Sequence, residues 1–284
     1  MTRAARLIGR GGIVLLASAF VYVAYIYLTL PDVRPLRTSN PSATAFMDLR
    51  EREARAQGKP FVKDQRWVPY GHISPNLKRA VIVTEDAAFW QHGGIDYDQL
   101  RESMEVDLER GEFARGASTI TQQLAKNLYL SPSKNPARKL KELLITRRLE
   151  AELSKQRILG LYLNVIEWGD GIWGAEAAAR HYFRKSAADL GPAEAALLAG
   201  AIANPHAMDP AHPNARLRRR QQMIMGRMGA VTPPPVVAEP PPLVAPIEGL
   251  PSVPPVPEAD PLSGLPGTQV PAPTTPRKPG GPGQ

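Results

Sequence analysis

From the N-terminus, apolar and polar positions divide the chain into unequal stretches. Residues 13–30, IVLLASAFVYVAYIYLTL, form an uncharged apolar run. Residues 34–65 are polar and mixed, with one short helical segment at 45–56. Periodic apolar positions then return. Ser74-Pro75 is a helix start in the order cap then first-turn proline, and Leu77, Ala80, Val81 and Thr84 keep helical spacing, so Glu85 falls at the helix end. A second helix is expected at 97–110, and a third in GASTITQQLAKNLYL, opened by Gly116 and the hydroxyls of Ser118 and Thr119. Longer helices are expected at 135–153 and 154–164, and another starts at Pro192 and stops at Asn204-Pro205. Alternation of β-branched residues is nearly absent after Thr84, so residues 64–229 read as one mainly α domain.

The apolar run is 18 residues long, near the lower limit for a helix that crosses a bilayer. Arg3, Arg6 and Arg10 precede it, which predicts a cytoplasmic residue 1–12 segment, a membrane anchor at 13–30 and an exported remainder. Ala17-Ser18-Ala19 offers a rival signal-peptide cleavage site, but cleavage there leaves residues 20–30 as an apolar new N-terminus. Tyr22, Tyr25 and Tyr27 suit the outer interface. Residues 31–63 then read as a stalk. Residues 232–284 hold 18 of the 30 prolines and no aromatic residue, so 230–284 reads as a disordered tail, partly polyproline II.

There is no cysteine, which excludes disulfides and thiolate–metal sites. A net charge of +8 suits an anionic partner, and export makes nucleic acid the least suitable one.

Three groups of residues could carry chemistry. Glu85-Asp86 is followed by Phe89, Trp90 and His92-Gly93-Gly94; burial against the aromatic residues would raise a Glu pKa as a general base needs, whereas solvent would leave only a helix-end carboxylate pair. His92 taken alone is more often a structural hydrogen-bonder than a catalyst, and the glycines serve a turn. On helical spacing Ser118, Gln122 and Lys126 share one face, opposite Ile120, Leu124 and Leu128. That polar face lacks the alternating Glu and Lys of an ordinary solvated face and matches sugar hydroxyls and phosphate oxygens better. Finally, Lys134, Arg138, Lys139 and Lys141 surround Glu142, which lies four residues from Arg138. Two carboxylates on separate helices, with cations around one, suit glycosyl transfer from a diphosphate leaving group.

The ordered stretches VTEDAAFWQHGGID, RGASTITQQLAKNLYL, RKLKELLITRRLE, ILGLYLNVIEWGDGIWGAEAAARHYF and LGPAEAALLAGAIANP resemble the five motifs of the peptidoglycan glycosyltransferases, a family that includes the first domain of bifunctional penicillin-binding proteins. With no transpeptidase segment following, the resemblance is to monofunctional members. It implies a lysozyme-like helical fold with a membrane-proximal jaw subdomain. The implied substrates are lipid II and the growing lipid-linked strand, joined by β-1,4 linkage with release of undecaprenyl diphosphate at the inner membrane. Carried over by residue, the resemblance makes Glu85 the general base and Asp86 the acid beside it. It makes Glu142 the second essential carboxylate, near the donor diphosphate. Lys126, Arg138, Lys134 and Lys139 would hold that diphosphate, and Ser118, Thr119, Gln122 and Gln123 would position substrate. Mg²⁺ or Mn²⁺ on the diphosphate is compatible with the family, and the sequence holds no dedicated metal cage.

Two positions depart from the family pattern: Arg157 and Gly160 stand where Glu is common. The tail lies outside the resemblance and could recruit cell-wall synthesis or division proteins. Two other functions fit some of these features. One is a lytic transglycosylase or muramidase on the same fold; the other is a non-enzymatic, membrane-anchored scaffold.

Overall fold

The computed structural model describes residues 3–110, 118–132 and 135–229. Lys134, Gly116 and the proline-rich tail lie outside the described residues. The elements, in order, are α1 (Arg3–Leu28), α2 (Ala45–Ala56), β1 (Asp64–Gln65), α3 (Pro75–Glu85), α4 (Tyr97–Arg110), α5 (Ile120–Tyr129), α6 (Pro136–Glu152), α7 (Lys155–Val165), β2 (Glu167–Gly169), β3 (Ile172–Trp173), α8 (Ala175–Phe183), α9 (Pro192–Ala201) and α10 (Ala215–Met228).

Side-chain caps start most of these helices. Ser74 Oγ accepts from the Asn76 N–H before α3, Asn135 Oδ1 from Ala137 before α6, Ser154 Oγ from Arg157 before α7, and Asn214 Oδ1 from Leu217 before α10. Each meets one of the four N–H groups that a helix start leaves unpaired. Ser74 also donates to the Leu190 carbonyl at 2.7 Å, which seats the start of α3 beside α9.

α3 packs against α9 and α10, while α5 packs against α6 and α7. Ala195, Ala196 and Ala199 on α9 are fully buried, and their small side chains let α3 approach closely. Leu77, Val81, Leu124, Leu161 and Leu198 join one continuous core. Burying each such side chain contributes about 1.5–3 kcal/mol.

The residues expected to form a stalk pack on the domain instead. Val33 and Leu36 belong to the core, and α2 lies on α5. Arg157, one of the family departures, holds this segment in place: Nε donates to the Leu36 carbonyl at 2.7 Å, and Nη2 to Ser39 O and Asn40 Oδ1. A second difference is a small sheet in the order β1-β3-β2, with β1 parallel and β2 antiparallel to β3. Strands of two or three residues leave no periodicity to read.

Residues 11–28 are apolar and almost wholly exposed, long enough to cross a membrane. The helix stops at Leu28, two residues before the apolar run ends, because Leu30 turns into the core. Arg148 of α6 grips this junction. Its guanidinium lies 4.8 Å from the Tyr27 ring centroid and donates to the Tyr27 and Pro31 carbonyls at 3.2 and 3.4 Å.

The second departure, Gly160, is buried inside α7, where an added Cβ would meet Tyr70 at 3.5 Å, an ordinary contact distance. Gly174 has φ of +85°, and a Cβ there would sit 2.7 Å from the Asn164 carbonyl oxygen. Chemical denaturation should therefore show Gly160→Ala more stable than wild type by about 1 kcal/mol and Gly174→Ala less stable by about 3 kcal/mol.

Candidate active site

Glu85 closes α3, and the chain turns immediately. Asp86 has extended backbone geometry (φ −167°), and its side chain is completely buried. Oδ2 accepts from the Ile120 N–H at 2.9 Å, the first residue of α5, where the helix dipole favours a carboxylate. Oδ1 lies 2.8 Å from His92 Nε2. His92 Nδ1 accepts from the Gly94 N–H at 3.1 Å, so Nε2 carries the ring proton and donates to Asp86. His92 thus braces the turn, and both oxygens of Asp86 are engaged within the protein.

Gly94 is required by space as well as by its φ of +88°. A Cβ there would lie 2.8 Å from side-chain carbons of both Thr146 and Glu150 on α6. Thr119 Oγ1 donates to the Gly94 carbonyl at 2.7 Å, which clamps the turn between α5 and α6.

The polar face of α5 differs from the one drawn by spacing. Thr119 is the N-cap, and with Gln122 it forms a capping box: Thr119 Oγ1 accepts from the Gln122 N–H, and Gln122 Oε1 accepts from the Thr119 N–H. Both residues are buried, so Gln122 is drawn back from the open face. The face toward Glu85 is carried by Gln123 and Lys126. Gln123 Nε2 donates to Glu85 Oε2 at 2.9 Å, and a longer contact of 3.4 Å runs to the Ser118 carbonyl. Among the described residues, Glu85 Oε1 accepts no hydrogen bond, so one oxygen remains open.

Burial pushes the Glu85 carboxyl above its ordinary value, with a smaller push from Asp86. The Gln123 hydrogen bond and the charges of Arg220 and Lys126 oppose it without cancelling it. Lys126 is shifted down, first by burial and then by Arg138 and Lys139, against the pull of Glu142 and Glu85. Its Nζ sits 5.8 Å from the Phe46 ring centroid on α2. Lys126 therefore couples electrostatically to both candidate carboxylates.

The second carboxylate stands among cations. Glu142 is buried; Oε2 accepts from Arg138 Nη1 at 2.8 Å and Oε1 from Lys139 Nζ. Arg138 Nε is buried without a hydrogen-bond partner among the described residues. Both Glu142 oxygens are thus engaged by cations. Asp86, His92 and Asp96 also come within 4.8 Å of one another. Asp86 and His92 are committed to the bonds above, and Asp96 Oδ1 accepts from the Gln99 N–H that opens α4.

The structure thus brings together Glu85, Gln123, Lys126, Arg138, Lys139 and Glu142, and gives Asp86, Thr119 and Gln122 a supporting position behind them. Three contributors escaped sequence reasoning. Phe46 lies in a segment read as stalk, and Arg220 in an arginine run that looks like a solvated face. Tyr162, whose hydroxyl donates to Gln123 Oε1 at 2.8 Å, sits in an apolar run that looks like core.

Residues 53–229 match the transglycosylase family. The chain is 49% identical over 191 residues to a protein of Dechloromonas aromatica (strain RCB), covering 67% of this chain and 83% of that one. It is 46% identical over 224 residues to one of Laribacter hongkongensis (strain HLHK9), covering 78% and 96%. It is 47% identical over 234 residues to one of Aromatoleum aromaticum (strain DSM 19018 / LMG 30748 / EbN1), covering 82% and 100%. All three are named biosynthetic peptidoglycan transglycosylase.

An acid whose pKa is higher folded than unfolded binds more protons in the folded state, so ionising it costs stability. For Glu85 that cost is absent below the ordinary value of 4.5 and complete above the raised one. Glu85→Gln should melt at a higher temperature than wild type at about pH 8, and the gain should vanish by about pH 4. Thermal melts across pH check this.

Proposed function

The chain belongs to the transglycosylase family, and from that premise we propose that it is a peptidoglycan glycosyltransferase of cell-wall synthesis with Glu85 as its base. Glu85 takes the proton from the 4-hydroxyl of the acceptor N-acetylglucosamine. The freed oxygen attacks the anomeric carbon of the donor N-acetylmuramic acid from the face opposite the diphosphate. As the new bond forms, the bond from that carbon to the diphosphate oxygen breaks, and the electron pair departs with undecaprenyl diphosphate. Inversion leaves a β-1,4 linkage.

The observation that carries this reading is the position of Lys126, coupled at once to the raised carboxyl of Glu85 and to the Arg138–Lys139–Glu142 cluster. A base and a cationic site that share one ammonium suit a reaction in which a proton leaves one end as negative charge develops at the other. Arg138 and Lys139 neutralise the leaving diphosphate. Glu142 holds both cations in position rather than meeting substrate. Gln123 aligns the base. A Mg²⁺ or Mn²⁺ ion on the diphosphate would add to this neutralisation.

The anchor and its surroundings support an inner-membrane enzyme with its N-terminus in the cytoplasm and its domain in the periplasm. Arg3, Arg6 and Arg10 precede the apolar stretch of α1. On α4, Tyr97, Leu100 and Met104 expose apolar surface, which suits a bilayer where a lipid-linked substrate must enter.

Glu85→Gln should remain in the membrane fraction and lower polymerisation of lipid II by about 10²- to 10⁴-fold. Wild type incubated with cell-wall sacculi should release no soluble muropeptides. Undiminished polymerisation by the variant sinks the mechanism, and muropeptide release would point to a lytic enzyme.

A further inference from the structure

Among the described residues, Tyr162 on α7 makes no hydrogen bond to the base or the cations, yet its hydroxyl ends at the site. The side chain is fully buried, and burial raises its pKa well above the ordinary tyrosine value, so the phenol keeps its proton. Among the described residues that proton has one acceptor, Gln123 Oε1 at 2.8 Å. A glutamine amide has a donating and an accepting end of nearly equal size, and its neighbours decide which way it points. With Tyr162 donating to Oε1, the NH₂ end faces Glu85, and its N–H groups run to Glu85 Oε2 at 2.9 Å and the Ser118 carbonyl at 3.4 Å. The reversed amide would set its oxygen against a carboxylate and leave the phenolic proton unpaired where no water reaches.

We propose that Tyr162 is a positioning residue for the transfer reaction: by donating to Gln123 it selects the amide orientation that holds Glu85 as an aligned proton acceptor. The proposal rests on the assignment of Glu85 as general base. Around Glu85 stand Gln123 and Lys126 from α5, Arg220 from α10, Tyr162 from α7 and the adjacent Asp86. Lys126 and Arg220 favour the charged form and Asp86 opposes it, whatever the phenol does. Gln123 differs from them all, because rotating its amide turns a donor into an acceptor and reverses its effect. The hydroxyl of Tyr162 thereby acts on the base through a neutral side chain.

The test is Tyr162→Phe in the full-length protein, with lipid II polymerisation followed from about pH 5 to pH 9 beside wild type. The variant lacks one oxygen and keeps the ring. The acid limb of the kcat profile should move to higher pH, with a loss of about tenfold on the limb that shrinks to within about twofold at the alkaline end. The KM for lipid II should not change. A carboxyl infrared difference, each protein against its Glu85→Gln counterpart, reads the same titration without turnover and should move in the same direction. A uniform fall in kcat with an unmoved limb overturns the proposal, as does an unchanged profile. A variant that fails to fold also overturns it, since the hydroxyl would then be a structural support. If wild type does not polymerise lipid II, the assignment of the base fails instead, and the infrared titration still decides whether Tyr162 acts on Glu85.

Discussion

The buried carboxylate of Asp86 joins three parts of the molecule that are distant in sequence. One oxygen receives the first backbone N–H of α5 and the other receives the ring proton of His92, while the residue itself ends α3. Breaking a buried, hydrogen-bonded charge leaves its partners unpaired, at a cost of about 3–5 kcal/mol. The end of α3 carries Glu85, the start of α5 carries Gln123 and Lys126, and the turn held by His92 seats Gly94 against α6, the helix of Arg138 and Glu142. A side chain bonded wholly within the protein thus fixes the relative placement of Glu85, Gln123, Lys126, Arg138 and Glu142.

Around that joint the site divides into two electrostatic environments. Glu85 is held where burial favours its neutral form, and it is kept usable by one amide and two cations. The Glu142 cluster is the reverse: a buried carboxylate is overcompensated by Arg138 and Lys139, so the local excess is positive. Lys126 belongs to both, and burial among other cations lowers its own hold on a proton. Opposite demands, a reluctant anion and a surplus of cations, are met within a few helical turns because the start of α5 is bonded to the end of α3 and the helix packs on α6.

Much of this was legible in the sequence, and the parts that were not share physical reasons. Cap residues are local, so Ser74-Pro75, Asn135 and Ser154 marked helix starts that the structure keeps. Face assignment on α5 failed by one residue. Helical periodicity begins only after the cap, and with Thr119 as cap the position of Ser118 says nothing about which side Gln122 takes. Gln122 was then recruited by the capping box, leaving Gln123 to face the base. The stalk at 31–63 was misread because Val33, Leu36 and Met47 bury isolated apolar side chains without a helical stripe. α10 was not anticipated, since Leu217, Ile224 and Met228 are thinly spread among arginines. Tyr162 shows the general difficulty: a residue in an apolar helix looks like filling until the partner of its hydroxyl is known.

The grip of Arg148 on the end of α1 has a consequence of scale. Arg148 and Arg138 lie ten residues apart on the same rigid helix, about 15 Å at 1.5 Å per residue. α6 thereby works as a gauge: it fixes how far the cationic cluster stands from the end of α1. A domain on a loose tether would sample many heights and tilts, and would meet a lipid headgroup at the right level only part of the time. Clasped at Tyr27 and Pro31, this one has its reach measured out in advance, so that an α1 embedded in a bilayer would reduce the encounter with a lipid-linked substrate from a search in three dimensions to one in two.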